Sequence, residues 1–146
     1  MTARYFVDSN VIVYARDLTQ PNKQARADQW TKHFWAARNG RLSYQVLLES
    51  YAVLTAAHKR RMTNDQARTY VASFEAWEPL VVSQTVVELA WRAQDLYGFN
   101  WWDSLIVAAA QLTECTHLLT EDMQHAQNLD GLIVINPFVA EPDSAL

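Results

Sequence analysis

The strongest constraint on this chain is that short apolar runs open directly onto acidic residues, with helical patterns filling the space between them. Arg4–Val7 is a strand candidate that ends at Asp8, and His117–Leu119 is another, followed at once by Thr120-Glu121-Asp122. Leu132–Ile135 is a last strand of the same kind. Short apolar strands alternating with helices specify a mostly parallel sheet with helices on both faces. Loops leaving the carboxyl ends of such strands form the ligand crevice. Asp8 and Asp122 can therefore meet there although they lie far apart in sequence.

The helices are marked by their caps and their apolar spacing. Ser9 to Tyr14 turns toward a helical segment, with a break near Thr19–Pro21. A helix from about Asn22 to Arg38 carries Ala25, Trp30, Phe34 and Ala37 on one face, and Asn39-Gly40 supplies its stop. Leu42 and Ser43 suit a very short strand. Ser43 can cap a helix from about Tyr44 to Lys59, buried through Val46, Leu47, Tyr51 and Leu54. Thr63 and Gln66 have capping-box spacing for a helix running to about Trp77. Pro79-Leu-Val-Val is a strand candidate, Gln84 to Tyr97 a helix ended by Gly98, and Asn100 the cap of a helix over Trp101 to Leu112. A short helical turn is expected from Asp122 to about Asn128. With 146 residues, half of them apolar and only three glycines, the chain fits one compact α/β domain. Its expected extent is 1–139, followed by a tail, 140–146, with little reason to be ordered.

Composition narrows the function classes. One cysteine, Cys115, excludes an internal disulfide and a cysteine-rich zinc site. The first apolar run is interrupted at Asp8, too soon for a signal peptide, and no stretch of 18 apolar residues follows, so a cytoplasmic protein with no membrane association is the expectation. The net charge of −4 argues against a broadly basic nucleic-acid coat. Its distribution is uneven. Residues 1–92 hold all twelve Lys and Arg with eight acids, giving +4, whereas 93–146 hold eight acids and no Lys or Arg, giving −8. A chain that meets a polyanion at local patches and holds cations elsewhere tolerates this split, as does an ordinary acidic protein.

Four carboxylates are the candidate chemistry. Asp8 and Asp122 follow strands, Asp103 follows the cap Asn100 by three positions in WWDSLIVAAA, and Glu49 lies inside the apolar helix LLESYAVL. Repelling carboxylates become favourable neighbours around a hard cation, and Mg²⁺ or Mn²⁺ with oxygen ligands suits phosphodiester hydrolysis. Bland readings stand beside this one. Asp103 can serve only the helix N-terminus, Asp8 and Asp122 can be ordinary turn residues, and Glu49 can point to solvent or pair with Arg41, Lys59 or Arg60.

With those residues assembled, the chain resembles the PIN-domain ribonucleases, and within them the toxin components of VapBC-type toxin–antitoxin pairs. The blocks YFVDSNVIVYA, SYQVLLESYAVL, WWDSLIVAAA and LLTEDMQHAQ followed by VINPF occur in the family's order and cover nearly the whole chain. The resemblance implies a PIN-like three-layer α/β/α sandwich with a short, mostly parallel central sheet. It implies Asp8, Glu49, Asp103 and Asp122 as catalytic residues. Asp8, Asp103 and Asp122 would be the nearest metal ligands, Glu49 would bind directly or through water, and Asn10 and Thr120 would support them. Mg²⁺ or Mn²⁺ as cofactor, endonucleolytic cleavage of RNA, a cognate antitoxin and a homodimer also follow from the resemblance alone. Two positions depart from it: Ala126 stands where glycine is expected and Thr120 where serine is common.

The basic groups offer RNA contacts at His58-Lys59-Arg60-Arg61 and at Arg16, Lys23 and Arg26, although a solvated helix end explains the first patch nearly as well. Trp101 and Trp102 suit a core or subunit interface better than base stacking. His33, His117 and His125 lack metal-ligand spacing, and Cys115 reads as a buried small side chain. A PIN-like DNA nuclease and a catalytically weak RNA-binding or regulatory protein are the competing functions.

Overall fold

The computed structural model describes residues 2–144. Five strands form one sheet: β1 (Tyr5–Val7), β2 (Gly40–Arg41), β3 (His117–Leu119), β4 (Asn128–Leu129) and β5 (Leu132–Ile135). Their order is β2-β1-β3-β5-β4, parallel throughout except that β4 runs antiparallel to β5. Six helices complete the α/β sandwich: α1 (Ser9–Tyr14), α2 (Pro21–Ala37), α3 (Tyr44–Leu54), α4 (Asn64–Ser73), α5 (Gln84–Tyr97) and α6 (Trp101–Leu112). The expected fold class is therefore found. α1 packs on α2 and α3, α3 on α4, and α5 on α6.

The central strands are buried because both faces are covered. Phe6, Val7, Leu118, Leu119, Val134 and Ile135 have no exposed surface. α6 is buried from Ser104 to Ala110, as a helix apolar nearly all round must be. Aromatic rings join the sheet to α2: Tyr5 lies 5.8 Å from Trp30 and 5.2 Å from Phe34, and Phe34 meets Trp77 edge-on at 5.8 Å. Gly40 is required by this packing, since a Cβ there would stand 2.9 Å from the Trp77 ring and 3.0 Å from Phe34 Cβ.

The sheet register places the crevice. Val7 pairs with Leu119 and Leu119 with Ile135. Pairing continues one step beyond the strands, with Asp8 N donating to Leu119 O at 3.0 Å and Thr120 N to Ile135 O at 3.0 Å. Asp8 and Thr120 thus leave the sheet side by side, at the carboxyl ends of β1 and β3.

Several boundaries differ from those expected. The helix begun at Ser43 stops at Leu54, not near Lys59, because Arg61 N and Met62 N both turn back onto Leu54 O, and Ala57–Lys59 is a separate 3₁₀ turn. The helix opened by Thr63 stops at Ser73, and Phe74–Trp77 tightens to a 3₁₀ turn that buries Phe74 and Trp77. Residues 79–82 form no strand; Leu80 makes one isolated parallel bridge to Ser43. Arg38, in the left-handed region at φ 56°, ends α2, which frees Gly40 for β2. The expected helical turn after Asp122 is a series of bends leading into β4. The segment after β5 is anchored, with Trp30 Nε1 donating to the carbonyls of Pro137 at 3.2 Å and Ala140 at 3.0 Å. The expectation of an unordered tail over 140–146 thus meets anchors as far as Glu141 and a 3₁₀ turn over Pro142–Ser144; residues 145 and 146 lie outside the described residues.

Candidate active site

Asp8 is the N-cap of α1 and is 3% exposed. Its Oδ1 accepts from Ser9 N at 2.7 Å and its Oδ2 from the Thr120 hydroxyl at 2.8 Å. Thr120, itself fully buried, is a hub. Its Oγ1 also accepts from Asn10 Nδ2 at 3.2 Å and from the backbone N of Asp122 at 3.1 Å. Asn10 Nδ2 reaches Asp122 Oδ2 at 3.2 Å as well. One amide and one hydroxyl thereby tie Asp8 to Asp122 across the crevice.

Asp103 comes from the first turn of α6, where Asn100 acts twice. Asn100 Oδ1 accepts from Asp103 N at 2.9 Å, and Asn100 Nδ2 donates to Asp103 Oδ2 at 3.0 Å. The cap therefore fixes the carboxylate as well as the helix. Glu49 projects from α3 and is half-buried, and its Oε1 is buried without any hydrogen-bond partner. Gln45, one turn earlier on α3, opposes the upward push of burial on the Glu49 carboxyl and donates Nε2 to Trp102 O at 3.2 Å, joining α3 to the start of α6. Gln45 was not among the expected site residues; its i−4 spacing from Glu49 was the available signal.

The four carboxylates share one electrostatic environment. Burial pushes Asp8 up to about 7, against the hydrogen bonds from Thr120 and Ser9, and the charges of Asp122 and Glu49 raise it further. Burial also raises Glu49, opposed by Gln45 and assisted by Asp103 and Asp122. Asp103 is raised by burial and then by Asp122, with Asn100 opposing. Among the described residues no Lys or Arg forms an ion pair with any of the four; Arg16 and Lys32 pair with Asp28, Lys23 with Glu121, and Lys59 and Arg61 with Asp17. Of the alternative partners for Glu49, Arg41 pairs with Glu78 and Lys59 with Asp17.

An all-oxygen cluster without a cation, holding buried, unpartnered oxygens at Glu49 Oε1 and Asn10 Oδ1, has the donor chemistry of a hard divalent ion. The side chains do not form a finished cage, for among the described residues no group of three His, Cys, Asp or Glu is arranged to hold a metal ion.

The other candidates fall into place around this cluster. Lys23 pairs with Glu121 at 2.9 Å, beside Asp122. Arg26 contacts Glu141 at 3.5 Å and the Pro137 carbonyl at 3.3 Å. Arg16 lies over the Tyr70 ring, 4.6 Å from its centre, and 3.7 Å from Asp28. Arg61 is bound to the buried Asp17 at 2.8 Å, with Lys59 at 3.8 Å, while Arg60 is exposed. Trp101 packs against the α5–α6 contact, whereas Trp102 is 62% exposed. His125 Nδ1 accepts from Asn136 N at 3.0 Å, His33 packs against Trp30 and Phe34, and His117 stacks on Tyr5. Burial pushes the Cys115 thiol up to about 11, which removes it as a nucleophile. Ala126 occupies the left-handed region at φ 69°, which is the physical reason a glycine is expected there.

Residues 5–130 match the family model for the PIN domain. No curated protein matches the chain significantly. Among solved structures, a toxin–antitoxin complex from Klebsiella pneumoniae is similar with TM-score 0.62 and 18% identity, covering 93% of this chain and 98% of that one. FitAcB from Neisseria gonorrhoeae is similar with TM-score 0.61 and 16% identity over 92% and 98% of the two chains. The Mycobacterium tuberculosis toxin VapC20, described as cleaving the sarcin–ricin loop, gives TM-score 0.53 and 16% identity over 78% and 86%.

Proposed function

Since the chain belongs to the PIN-domain family, we propose that it is a divalent-metal-dependent endoribonuclease acting as the toxin of a type II toxin–antitoxin pair. The observation that carries this reading is the set of Asp8, Glu49, Asp103 and Asp122, none ion-paired among the described residues, in which Thr120 and Asn10 tie Asp8 to Asp122 at the carboxyl ends of β1 and β3 and Asn100 holds Asp103. Similar structures described as toxin–antitoxin complexes support an antitoxin partner, and a similar toxin described as cleaving the sarcin–ricin loop supports RNA as substrate.

In this reading Asp8, Asp103 and Asp122 hold Mg²⁺ or Mn²⁺ directly, and Glu49 holds it directly or through a water. The bound ion supplies the Lewis acidity that sharpens a water nucleophile and neutralises charge on the scissile phosphate. The chain does the rest. Thr120 and Ser9 N keep Asp8 in one orientation, Asn10 keeps Asp122 beside it, and Asn100 fixes Asp103. Glu49 Oε1, buried and unpartnered, is left to meet the ion or to accept from a water held by it. Arg16, Arg26, Lys59 and Arg60 are the proposed grips on RNA backbone, whereas Lys23 is taken by Glu121. Arg61 is the weakest of the group, because Asp17 already holds its guanidinium. A homodimer in the cytoplasm completes the proposal; among the described residues no helix is long and apolar enough to cross a membrane.

The test is a parallel digest of an RNA pool and of single-stranded DNA by antitoxin-free protein, with Mg²⁺, with Mn²⁺ and with chelator. Cleavage of RNA at defined positions, only with added metal, is expected. Preferential DNA cleavage would assign a PIN-like DNA nuclease instead. The unfinished cage favours one second reading, a catalytically weak RNA-binding or regulatory protein. RNA binding without cleavage or metal uptake would select it.

A further inference from the structure

Lys23 stands in the first turn of α2, and its ammonium meets groups from three other parts of the chain. Nζ lies 2.9 Å from Glu121 Oε2 and 3.4 Å from the Tyr14 hydroxyl. It also sits over the rings of Tyr14 and Phe138, 4.7 Å and 5.0 Å from their centres, and those rings meet edge-on at 5.4 Å. Tyr14 ends α1, the helix that Asp8 caps; Phe138 lies just beyond β5; and Glu121 stands between Thr120 and Asp122. The acid-bearing turn is thus fastened on its inner side by Thr120 and on its outer side by Lys23. Next to those fastenings Asp122 is exposed, and its carboxylate receives Asn10 Nδ2 at 3.2 Å.

We propose that the Lys23–Glu121 pair is a positioning device for Asp122, setting the affinity of the carboxylate cluster for a divalent cation and not its affinity for RNA. The inference rests on the metal-dependent reading above and adds a residue to it. A half-exposed ion pair adds little to fold stability. Contacts that orient a metal-binding carboxylate, by contrast, typically change metal affinity by about 10- to 100-fold. The rings beneath the ammonium leave it little room to follow Glu121 elsewhere, so the pair fixes position as well as charge.

The experiment is calorimetric titration of RNA-free protein with Mn²⁺, alongside kcat and KM for RNA cleavage, in wild type, Lys23→Arg, Lys23→Met, Glu121→Gln and the double variant Lys23→Met/Glu121→Gln. The double variant keeps the wild-type net charge, so any loss there reflects position and not the general field. Lys23→Met alone makes the field more negative, which by itself would tighten cation binding. Positioning predicts roughly tenfold weaker Mn²⁺ binding in the double variant, a lower kcat with KM within about twofold, and near-complete retention in Lys23→Arg. Should Lys23→Met fail to fold, the double variant Lys23→Gln/Glu121→Gln, which also keeps the wild-type net charge, carries the same test. Unchanged Mn²⁺ affinity in the double variant overturns the inference, and a raised KM at unchanged Mn²⁺ affinity makes Lys23 an RNA contact instead. A wild type that takes up no Mn²⁺ overturns the underlying reading itself.

Discussion

At the residue scale the site hangs on Thr120. Its hydroxyl donates to Asp8 and accepts from Asn10 and from Asp122 N, so deleting it strands three buried or half-buried partners at once. Thr120→Val should lower cleavage about 10- to 100-fold and stability by about 1–3 kcal/mol, while Thr120→Ser keeps most of both. Single-turnover rates and denaturation midpoints separate the two effects; equal losses in Val and Ser would show that the hydroxyl is not the cause. Thr120 could be read in the sequence as a supporting hydroxyl, because it lies two positions before Asp122. Its three-way bonding could not, since two of its partners arrive from β1 and α1. Ala126 gives the converse lesson. The sequence marks it as an oddity, and its left-handed φ of 69° supplies the reason. Ala126→Gly should stabilise the protein by about 1 kcal/mol, read as a raised urea midpoint at constant slope; a lowered midpoint would mean that the methyl group packs usefully.

Elements were legible where their own residues cap them and illegible where a distant residue decides. The Thr63–Gln66 capping box, the Gly98 end of α5 and the Asn100 cap of α6 all appear as spaced signals, and all are present. The early end of α3 has no such signal, because it is set by a partner on another loop. Asp17, with its side chain fully buried, draws Arg61 to 2.8 Å and Lys59 to 3.8 Å, and binds Thr19 N at 3.0 Å and the Thr19 hydroxyl. The chain after Leu54 must turn to deliver Arg61. Burial alone would raise Asp17, but the hydrogen bonds from Thr19 and Arg61 and the Arg61 charge outweigh it and hold the carboxyl at about 2. Its folded value lies below the unfolded one, so its stabilisation is present above about pH 4 and is lost as pH falls through about 2. Asp17→Asn should cost about 3 kcal/mol at neutral pH by leaving Arg61 buried without its charge partner. The gap between wild type and variant should narrow between pH 4 and pH 2 in chemical denaturation. A gap independent of pH would assign the stabilisation to packing.

For the whole molecule, the proposed metal site would couple folding to metal. Asp8 titrates near 7 in the folded chain and near 3.8 when unfolded, so its contribution is full below about pH 4 and is lost as pH rises through 7. Without metal, wild type should therefore lose up to about 4 kcal/mol relative to Asp8→Asn between pH 4 and pH 8. Mg²⁺ at pH 8 should restore it, checked by urea denaturation with and without chelator; parallel pH profiles for the two proteins would contradict the coupling. In the sequence, strand ends mark Asp8 and Asp122 as able to meet, and only the resemblance to the PIN family adds Glu49 and Asp103 to them. It does not show that Arg16, Lys23, Lys32, Lys59 and Arg61 are committed to other acids, which depends on Asp17, Asp28 and Glu121 being folded against them. The most direct test of the central claim compares RNA cleavage by wild type, Asp8→Asn and Asp103→Asn at saturating Mn²⁺ and in chelator, with thermal unfolding recorded on the same samples. The expected result is metal-dependent cleavage by wild type alone, with both variants folded and cleavage reduced at least about 100-fold; cleavage persisting in chelator, or in both folded variants, would contradict it.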